Sequence, residues 1–275
     1  MEAITAGPLS EAQAERFREE GYLIFPGFFD PTECASLKAD IDRLTDLRQR
    51  REKTPFLCEF PHLGPLISHP RIMEIAGAVL GPGFAFHHLH AVRQDAGTPG
   101  VCWHQDYEQI PQTNRSHVMV HFFYYLNGLN GTVGDLLFIP RTWKRVVGNG
   151  DLCFLGTIDL PNMVTVNDLP PGSAVLVHSG LWHARRAQPG GEETPRYFAD
   201  ASYCQAGIRW PSYGIREWRD LLRTARERGL DRDGQYAHLF DESHFFDRAA
   251  GSETFKQQQG SLAIRLPEWR EPTDG

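Results

Sequence analysis

The amino-acid sequence predicts a mainly β protein with flanking helices, built around a double-stranded β-helix of the jelly-roll, cupin-like kind. The first observation is a run of short apolar segments, rich in β-branched and aromatic residues, between positions 84 and 205. Turns rich in Gly, Pro and Asn separate these segments, and helical patterns flank the run on both sides. Many short strands with regular turns are typical of sandwiches and barrels.

We therefore expect one domain with three stretches. Residues 1–83 form a mainly helical N-terminal flank, 84–205 form the double-stranded β-helix core, and 206–275 form a helical C-terminal cover. A chain of 275 residues is long enough for one elaborated β domain of this kind.

The N-terminal flank contains three helix signals. Ser10 and Gln13 have the spacing of a capping box, and Gly21 is placed to end the helix that they begin. Asp30, directly before a proline, marks the start of a second helix. A third helix is predicted over 70–80, where a Gly-Pro-Gly sequence follows.

The core is expected to consist of short strands, and one further helix is expected over 215–228 in the C-terminal cover. A short buried strand is also predicted directly after Gly21. The predicted core strands are 84–92, 101–104, 117–126, 136–139, 151–155, 163–166, 173–178 and 196–205.

Composition excludes several classes of protein. With 41% hydrophobic residues the chain is globular, and a net charge of −7 argues against a nucleic-acid-binding surface, which needs clustered Lys and Arg. No apolar run is long enough to span a bilayer, and the N-terminus lacks the features of a signal peptide. We expect a cytoplasmic protein with no membrane or nucleic-acid partner.

The five cysteines are scattered, with no C-x-x-C pair that would indicate a zinc site. In a reducing compartment they are expected to be free thiols rather than a disulfide framework. These residues are Cys34, Cys58, Cys102, Cys153 and Cys204.

A pair of metal-ligand residue types follows the predicted strand 101–104. His104 and Asp106 are two residues apart, so in an extended chain their side chains point to the same side. One further imidazole from a distant strand would complete a two-His-one-carboxylate set, which binds Fe(II) in non-haem oxygenases and leaves coordination positions open. Such a pair alone is a weak signal, because the chain has 12 histidines and 35 acids.

The ordered set of motifs resembles the phytanoyl-CoA dioxygenase family of Fe(II)- and 2-oxoglutarate-dependent oxygenases. The resemblance extends over about residues 10–205 and depends on the order of the motifs rather than on any one of them. The segments that carry it are 17–29, 103–106, 130–131, 136–140, 177–183 and Arg196.

By position, the resemblance implies that His104, Asp106 and His183 are the metal ligands and that Arg196 binds the far carboxylate of 2-oxoglutarate. A guanidinium suits that role because it binds a carboxylate through two hydrogen bonds. His178 competes with His183 as the third ligand, and the loop after His183 favours His183. Arg185 and Arg186 are expected to be exposed loop charges, because they lie too close to His183 in the sequence to match Arg196.

Other histidines have weaker signals. His88 and His90 share one face of the predicted strand 84–92, and that face could line the pocket or contact 2-oxoglutarate. We include His90 as a candidate cosubstrate contact, with cross-strand polar packing as the alternative. His117 and His121 are expected to be structural.

The resemblance implies Fe(II) as the metal, 2-oxoglutarate and O2 as cosubstrates, and hydroxylation of a small molecule with succinate and CO2 as co-products. Desaturation, cyclisation or epoxidation would use the same site, and a non-catalytic cupin-like binding module is the alternative of another class. Five cationic residues suggest an anionic substrate if they face the site, namely Arg141, Lys144, Arg145, Arg185 and Arg186. A fold does not identify a substrate.

Overall fold

The structure is a computed structural model that describes residues 8–110, 115–147, 151–190, 194–248 and 250. Its helices are α1 (Glu11–Glu20), α2 (Pro31–Gln49), α3 (Pro70–Leu80) and α4 (Trp218–Glu227). Its strands are β1 (Tyr22–Phe25), β2 (Ala85–Gln94), β3 (Val101–His104), β4 (Met119–Tyr125), β5 (Leu136–Ile139), β6 (Val164–Val166), β7 (Ser173–His178), β8 (Trp182–Arg185), β9 (Arg196–Cys204), β10 (Trp210–Pro211) and β11 (Phe245–Phe246).

Two antiparallel sheets form the core. The larger sheet has the strand order β1-β7-β4-β9-β2, and the smaller has the order β3-β8-β5-β6. Apart from β5 and β6, neighbours in each sheet are not consecutive along the chain, as in a jelly roll. The predicted mainly β fold with a double-stranded β-helix core is confirmed.

The larger sheet is buried on both faces at its centre. Every residue of β4, its central strand, is buried. Phe122 and Tyr124 pack in the cluster that includes the side chains of α2 and α3, whereas Phe123 and Tyr125 pack in the cluster shared with the smaller sheet. Since side chains alternate along a strand, this places Phe123 and Tyr125 inside the barrel.

The helices of the N-terminal flank begin where their signals predicted. Ser10 and Gln13 form the expected capping box of α1, and Gly21 ends that helix with a left-handed conformation at φ 88°. Asp30 accepts hydrogen bonds from two backbone amides at the start of α2. The C-terminal helix begins at Trp218, three residues later than the sequence indicated.

Two local predictions were wrong. The predicted strand 151–155 contains a 3-10 helix instead, at Cys153–Leu155. Strand β8 was not predicted at all, although it forms the middle of the smaller sheet between β3 and β5. The three stretches proposed for the domain stay a prediction, and 251–275 of the C-terminal cover lie outside the described residues.

Within the described ranges, no helix combines the length and the apolar character needed to cross a bilayer.

Replacing Phe122 by Ala should lower the free energy of unfolding by about 3–5 kcal/mol, because the side chain is fully buried and its loss leaves a cavity. Urea denaturation measures this change. Phe154→Ala is the matched control, since its ring is 84% exposed and its removal should alter stability by less than about 0.5 kcal/mol. Equal losses in the two variants would contradict the described packing of β4.

Candidate metal centre and cosubstrate pocket

The pairing of β3 with β8 brings the predicted ligands together. His104 lies directly opposite His183 in the antiparallel register, and their ring centroids are 4.2 Å apart. Directly opposed residues point to the same face of a sheet, so both imidazoles enter the barrel. Asp106 lies two residues beyond the end of β3, where its amide donates a hydrogen bond to Ser179 O at 2.8 Å.

The three side chains converge on one point. Asp106 Oδ1 is 3.4 Å from His104 Nε2, and Asp106 Oδ2 is 3.2 Å from His183 Nε2. Each residue offers one ligand atom, and these three atoms lie within 4.8 Å of one another. Atoms that bind one metal at about 2.0–2.2 Å are separated from one another by roughly 3 Å, so the spacing suits a single ion.

The outer nitrogen of each imidazole has a fixed partner. His104 Nδ1 lies 2.7 Å from Cys102 O, and His183 Nδ1 lies 2.9 Å from Leu181 O. A carbonyl only accepts hydrogen bonds, so we assign the proton of each neutral ring to Nδ1. The lone pair is then at Nε2, on the side of Asp106, as in metal-binding histidines. The donor set therefore fits a divalent metal.

Electrostatics keep the carboxyl group ionised. Burial raises the pKa of Asp106, but His183 and His104 outweigh it and hold that pKa well below its usual range. Burial lowers the pKa of His104, and the hydrogen bond and charge of Asp106 reverse the shift, so that it is raised overall. The centre carries a negative ligand at neutral pH, which favours a cation.

A cavity of about 190 Å³ joins these ligands to Arg196. Arg196 is 4% exposed, and its Nη1 donates to Gln94 Oε1. Its guanidinium carbon lies 5.1 Å from the Tyr125 ring centroid and 4.7 Å from that of Phe198. Among the described residues it forms no ion pair with a carboxylate. An unpaired buried guanidinium is costly, so this end of the cavity suits an anion.

The comparisons with known proteins agree with this geometry. Residues 17–188 match the family described as phytanoyl-CoA dioxygenase (PhyH), which is more than half of the chain. The chain belongs to the phytanoyl-CoA dioxygenase family.

An ectoine dioxygenase from Bordetella bronchiseptica is 25% identical to this family member over 161 residues. The match covers 52% of the chain and 52% of the relative, so the chain spans about half the length of that relative.

Two solved structures share the fold at low identity. The carbocyclase SnoK from nogalamycin biosynthesis, described as non-haem and α-ketoglutarate-dependent, has a TM-score of 0.60 and 17% identity, with 79% of this chain and 92% of SnoK covered. HygX from Streptomyces hygroscopicus, with nickel and 2-oxoglutarate bound, has a TM-score of 0.59 and 15% identity, with 74% of this chain and 89% of HygX covered. At these identities the likeness shows the fold alone.

His178, the competing third ligand, lies outside the metal group of this family member. It is the last residue of β7, and its ring lies between Trp143, at 4.5 Å, and Phe17 of α1, at 6.4 Å between ring centroids. His178 Nδ1 accepts a hydrogen bond from the Gly180 amide at 3.0 Å. Burial lowers the pKa of His178 to about 3, so this ring is a neutral packing residue.

His90 lies on the cavity wall and is exposed, with its ring centroid 6.3 Å from that of Phe198. Its predicted contact with the cosubstrate stays a prediction.

The expectation for Arg185 was wrong. Its side chain is only 8% exposed and lines the cavity, because it is two residues after His183 on β8 and shares its face. Arg186 points the other way and bonds to Asp159 at 2.6 Å. The missed signal was the spacing of two residues between His183 and Arg185. This spacing puts both side chains on one face only if the segment is a strand, and β8 was not predicted.

The expectation for the cysteines was also wrong in part. Cys102 on β3 and Cys153 in the 3-10 helix form a disulfide, with their Cα atoms 4.9 Å apart. Cys34, Cys58 and Cys204 are free and buried.

A second polar group lies inside the barrel beside the metal centre. His121 Nδ1 is 3.0 Å from Asp200 Oδ1 and 2.6 Å from Ser202 Oγ, and His88 Nε2 is 3.6 Å from Asp200 Oδ2. His88 is also in contact with His87 through their Nδ1 atoms at 2.7 Å. This group also has the residue types of a metal site. A hydrogen-bonded network already accounts for its spacing, and it places the Asp200 carboxylate on the cavity wall.

Burial alone would lower the pKa of His121, but Asp200 outweighs it and raises that pKa to about 9. His121 and Asp200 therefore form a buried ion pair at neutral pH, in which His121 also holds the pKa of Asp200 below its usual range. His121 was predicted to be structural, and Asp200 had no sequence signal, because the pair joins β4 to β9 across the sheet.

Replacing Asp200 by Asn should lower the free energy of unfolding by on the order of 3 kcal/mol at pH 6. The His121 contribution is complete below the unfolded pKa of about 6.5 and is lost as pH rises through about 9. The loss caused by Asp200→Asn should therefore shrink between pH 6 and pH 10. Urea denaturation of the metal-free protein at the two pH values measures both effects.

Asp233→Asn, at an exposed position, is the control and should change stability little at either pH. A loss in Asp200→Asn that stays the same from pH 6 to pH 10 would argue against a charged His121.

Proposed function

We propose that this chain is an Fe(II)- and 2-oxoglutarate-dependent dioxygenase that hydroxylates an unactivated C–H bond of a small molecule. The observation that carries the proposal is the convergence of His104, Asp106 and His183 at a cavity that also contains Arg196. Family membership and the metal-ligand spacing support the same reaction class. Desaturation, cyclisation or epoxidation would use the same groups, because the outcome depends on how the substrate lies.

The three ligands would occupy one face of the metal and leave the opposite face open to the cosubstrates. When bound there, iron with 2-oxoglutarate and O2 supplies the oxidising chemistry and yields succinate and CO2 as co-products. The chain contributes geometry. Cys102 O and Leu181 O keep a proton on each Nδ1 and so keep both Nε2 lone pairs available.

Arg196 would bind the far carboxylate of 2-oxoglutarate. Its guanidinium is buried between Tyr125 and Phe198, and Gln94 fixes one of its nitrogens. A low-dielectric wall strengthens its attraction for a carboxylate. Phe123 and Leu136 form further apolar wall of the cavity, which keeps water away from the reacting groups.

The substrate is proposed to be a small molecule, like the ectoine named for the curated relative. An anionic substrate stays a prediction. Arg141 pairs with Glu20, Arg186 pairs with Asp159, and neither lines the cavity. Of the five cationic residues that suggested an anionic substrate, Arg185 alone is part of the cavity wall in the described residues.

Anaerobic titration of the Fe(II)-loaded protein with 2-oxoglutarate tests the proposal. The wild-type chain should develop the visible charge-transfer band of the chelate. His183→Ala should abolish this band because it removes one of three ligands, and Arg196→Ala should weaken it because the far carboxylate loses its partner.

His178→Asn is the matched control for the ligand assignment. The Asn side chain can still accept the hydrogen bond from Gly180, so the fold should be retained and the band should persist. Loss of the band in His178→Asn with retention in His183→Ala would reverse the assignment. Absence of the band in the wild-type chain would favour a non-catalytic binding module.

A further inference from the structure

Two buried guanidinium nitrogens at the Arg196 end of the cavity, Arg185 Nη1 and Arg196 Nε, have no acceptor among the described residues. The Tyr125 hydroxyl interacts with the Arg196 guanidinium, and its own proton has no acceptor there. All three residues line the cavity. Buried donors are normally paired, so several at one place indicate a missing acceptor. Arg185 is 8% exposed, Arg196 4% and Tyr125 1%.

The position of Arg185 is fixed by its strand. Arg185 lies between Val101 of β3 and Leu136 of β5 in the register of the smaller sheet, and both of these neighbours also line the cavity. Its Nη2 donates to Pro99 O at 2.6 Å, which leaves Nη1 as the nitrogen without a partner. Gly134 lies close behind it, where an added Cβ would be 3.3 Å from Nη1.

The two guanidiniums are both positively charged. Neither forms an ion pair with a carboxylate within the part of the chain that the structure describes. Burial, together with the charge of Arg196, lowers the pKa of Arg185 to about 10. Two buried like charges on the wall of one cavity destabilise each other, and an anion bound between them would relieve this.

The spacing along β8 suits the length of 2-oxoglutarate. Arg185 follows the ligand His183 by two residues, a rise of about 6.8 Å along a strand. Bond lengths place the two carboxyl carbons of extended 2-oxoglutarate roughly 5 Å apart. His183 and Arg185 line the same cavity, so a cosubstrate whose keto-acid end lies at the His183 side would extend along the wall to which Arg185 belongs.

We propose that Arg185 is a second guanidinium for the far carboxylate of 2-oxoglutarate, which it binds together with Arg196 and the Tyr125 hydroxyl. A carboxylate offers about four acceptor positions, so three donors fit on one group. The assignment rests on the proposed function and deepens it, because it makes the site selective for a 2-oxo acid with a second carboxylate.

Isothermal titration of the nickel-loaded full chain tests the assignment with two ligands. One ligand is 2-oxoglutarate, and the other is 2-oxopentanoate, which has the same chain length without the far carboxylate. Arg185→Gln should raise the Kd of 2-oxoglutarate by roughly 10- to 100-fold, the loss expected for a hydrogen bond between charged groups. It should leave the Kd of 2-oxopentanoate within about twofold.

Arg186→Gln is the matched control, because this neighbour points away from the cavity and pairs with Asp159. It should change neither Kd. Tyr125→Phe removes a neutral donor. It should raise the Kd of 2-oxoglutarate by roughly 2- to 10-fold and leave the Kd of 2-oxopentanoate unchanged. If Arg185→Gln fails to take up nickel, Arg185→Lys, which keeps the charge but loses the planar fork, should show the same selectivity with a smaller loss.

The outcomes separate this assignment from the proposed function. If the wild-type chain does not bind 2-oxoglutarate, the proposed function itself fails. If it binds and Arg196→Gln weakens binding while the Arg185 variants do not, the second guanidinium is refuted and the function stands. Equal losses for both ligands in the Arg185 variants would also refute it, because the far carboxylate would then not be the group that Arg185 contacts.

Discussion

The antiparallel pairing of β3 with β8 is the constraint on which the site depends. It sets His104 opposite His183, and a shift of one residue would turn one imidazole out of the barrel. β3 is an edge strand of its sheet, yet segment 153–158 covers it. Trp103 donates from its amide to Gly156 O and from its indole to Ile158 O, and Cys102 is bonded to Cys153. These links protect the register at the strand that carries the first ligand.

Charge is distributed unevenly in the cavity, and this affects how a dicarboxylate would lie. Arg185 and Arg196 line it without a carboxylate partner among the described residues, whereas Asp200 brings a carboxylate to the wall. His121 neutralises Asp200, but it does not line the cavity, so the negative end of the pair faces inward. An anionic group is therefore attracted to the guanidiniums and disfavoured beside Asp200.

Much of the fold follows from local signals in the sequence. The parts that were not predicted depend on contacts between segments that are distant in the sequence. The caps of α1 and α2 and the strand before His104 depend on neighbours in the sequence, so they were predictable. β8 has only four residues and no bounding pattern of its own, so its existence depends on β3 and β5. Because β8 was not predicted, the cavity-facing position of Arg185 was not predicted either. The disulfide joins two segments whose contact no local pattern indicates.

His104, Asp106 and His183 could be proposed as ligands for a different reason, since their residue types and order match a family pattern. The Asp200 network and Arg185 have no such marker. Both missed groups are buried and polar, and both cost stability unless something compensates them. For Asp200 the compensation is His121, inside the chain. For Arg185 and Arg196 the described residues supply hydrogen bonds to Pro99 O and Gln94 Oε1 but no carboxylate. A chain that keeps two guanidiniums without a counter-charge beside a candidate metal centre sacrifices stability there, which is expected where a bound anion completes the structure.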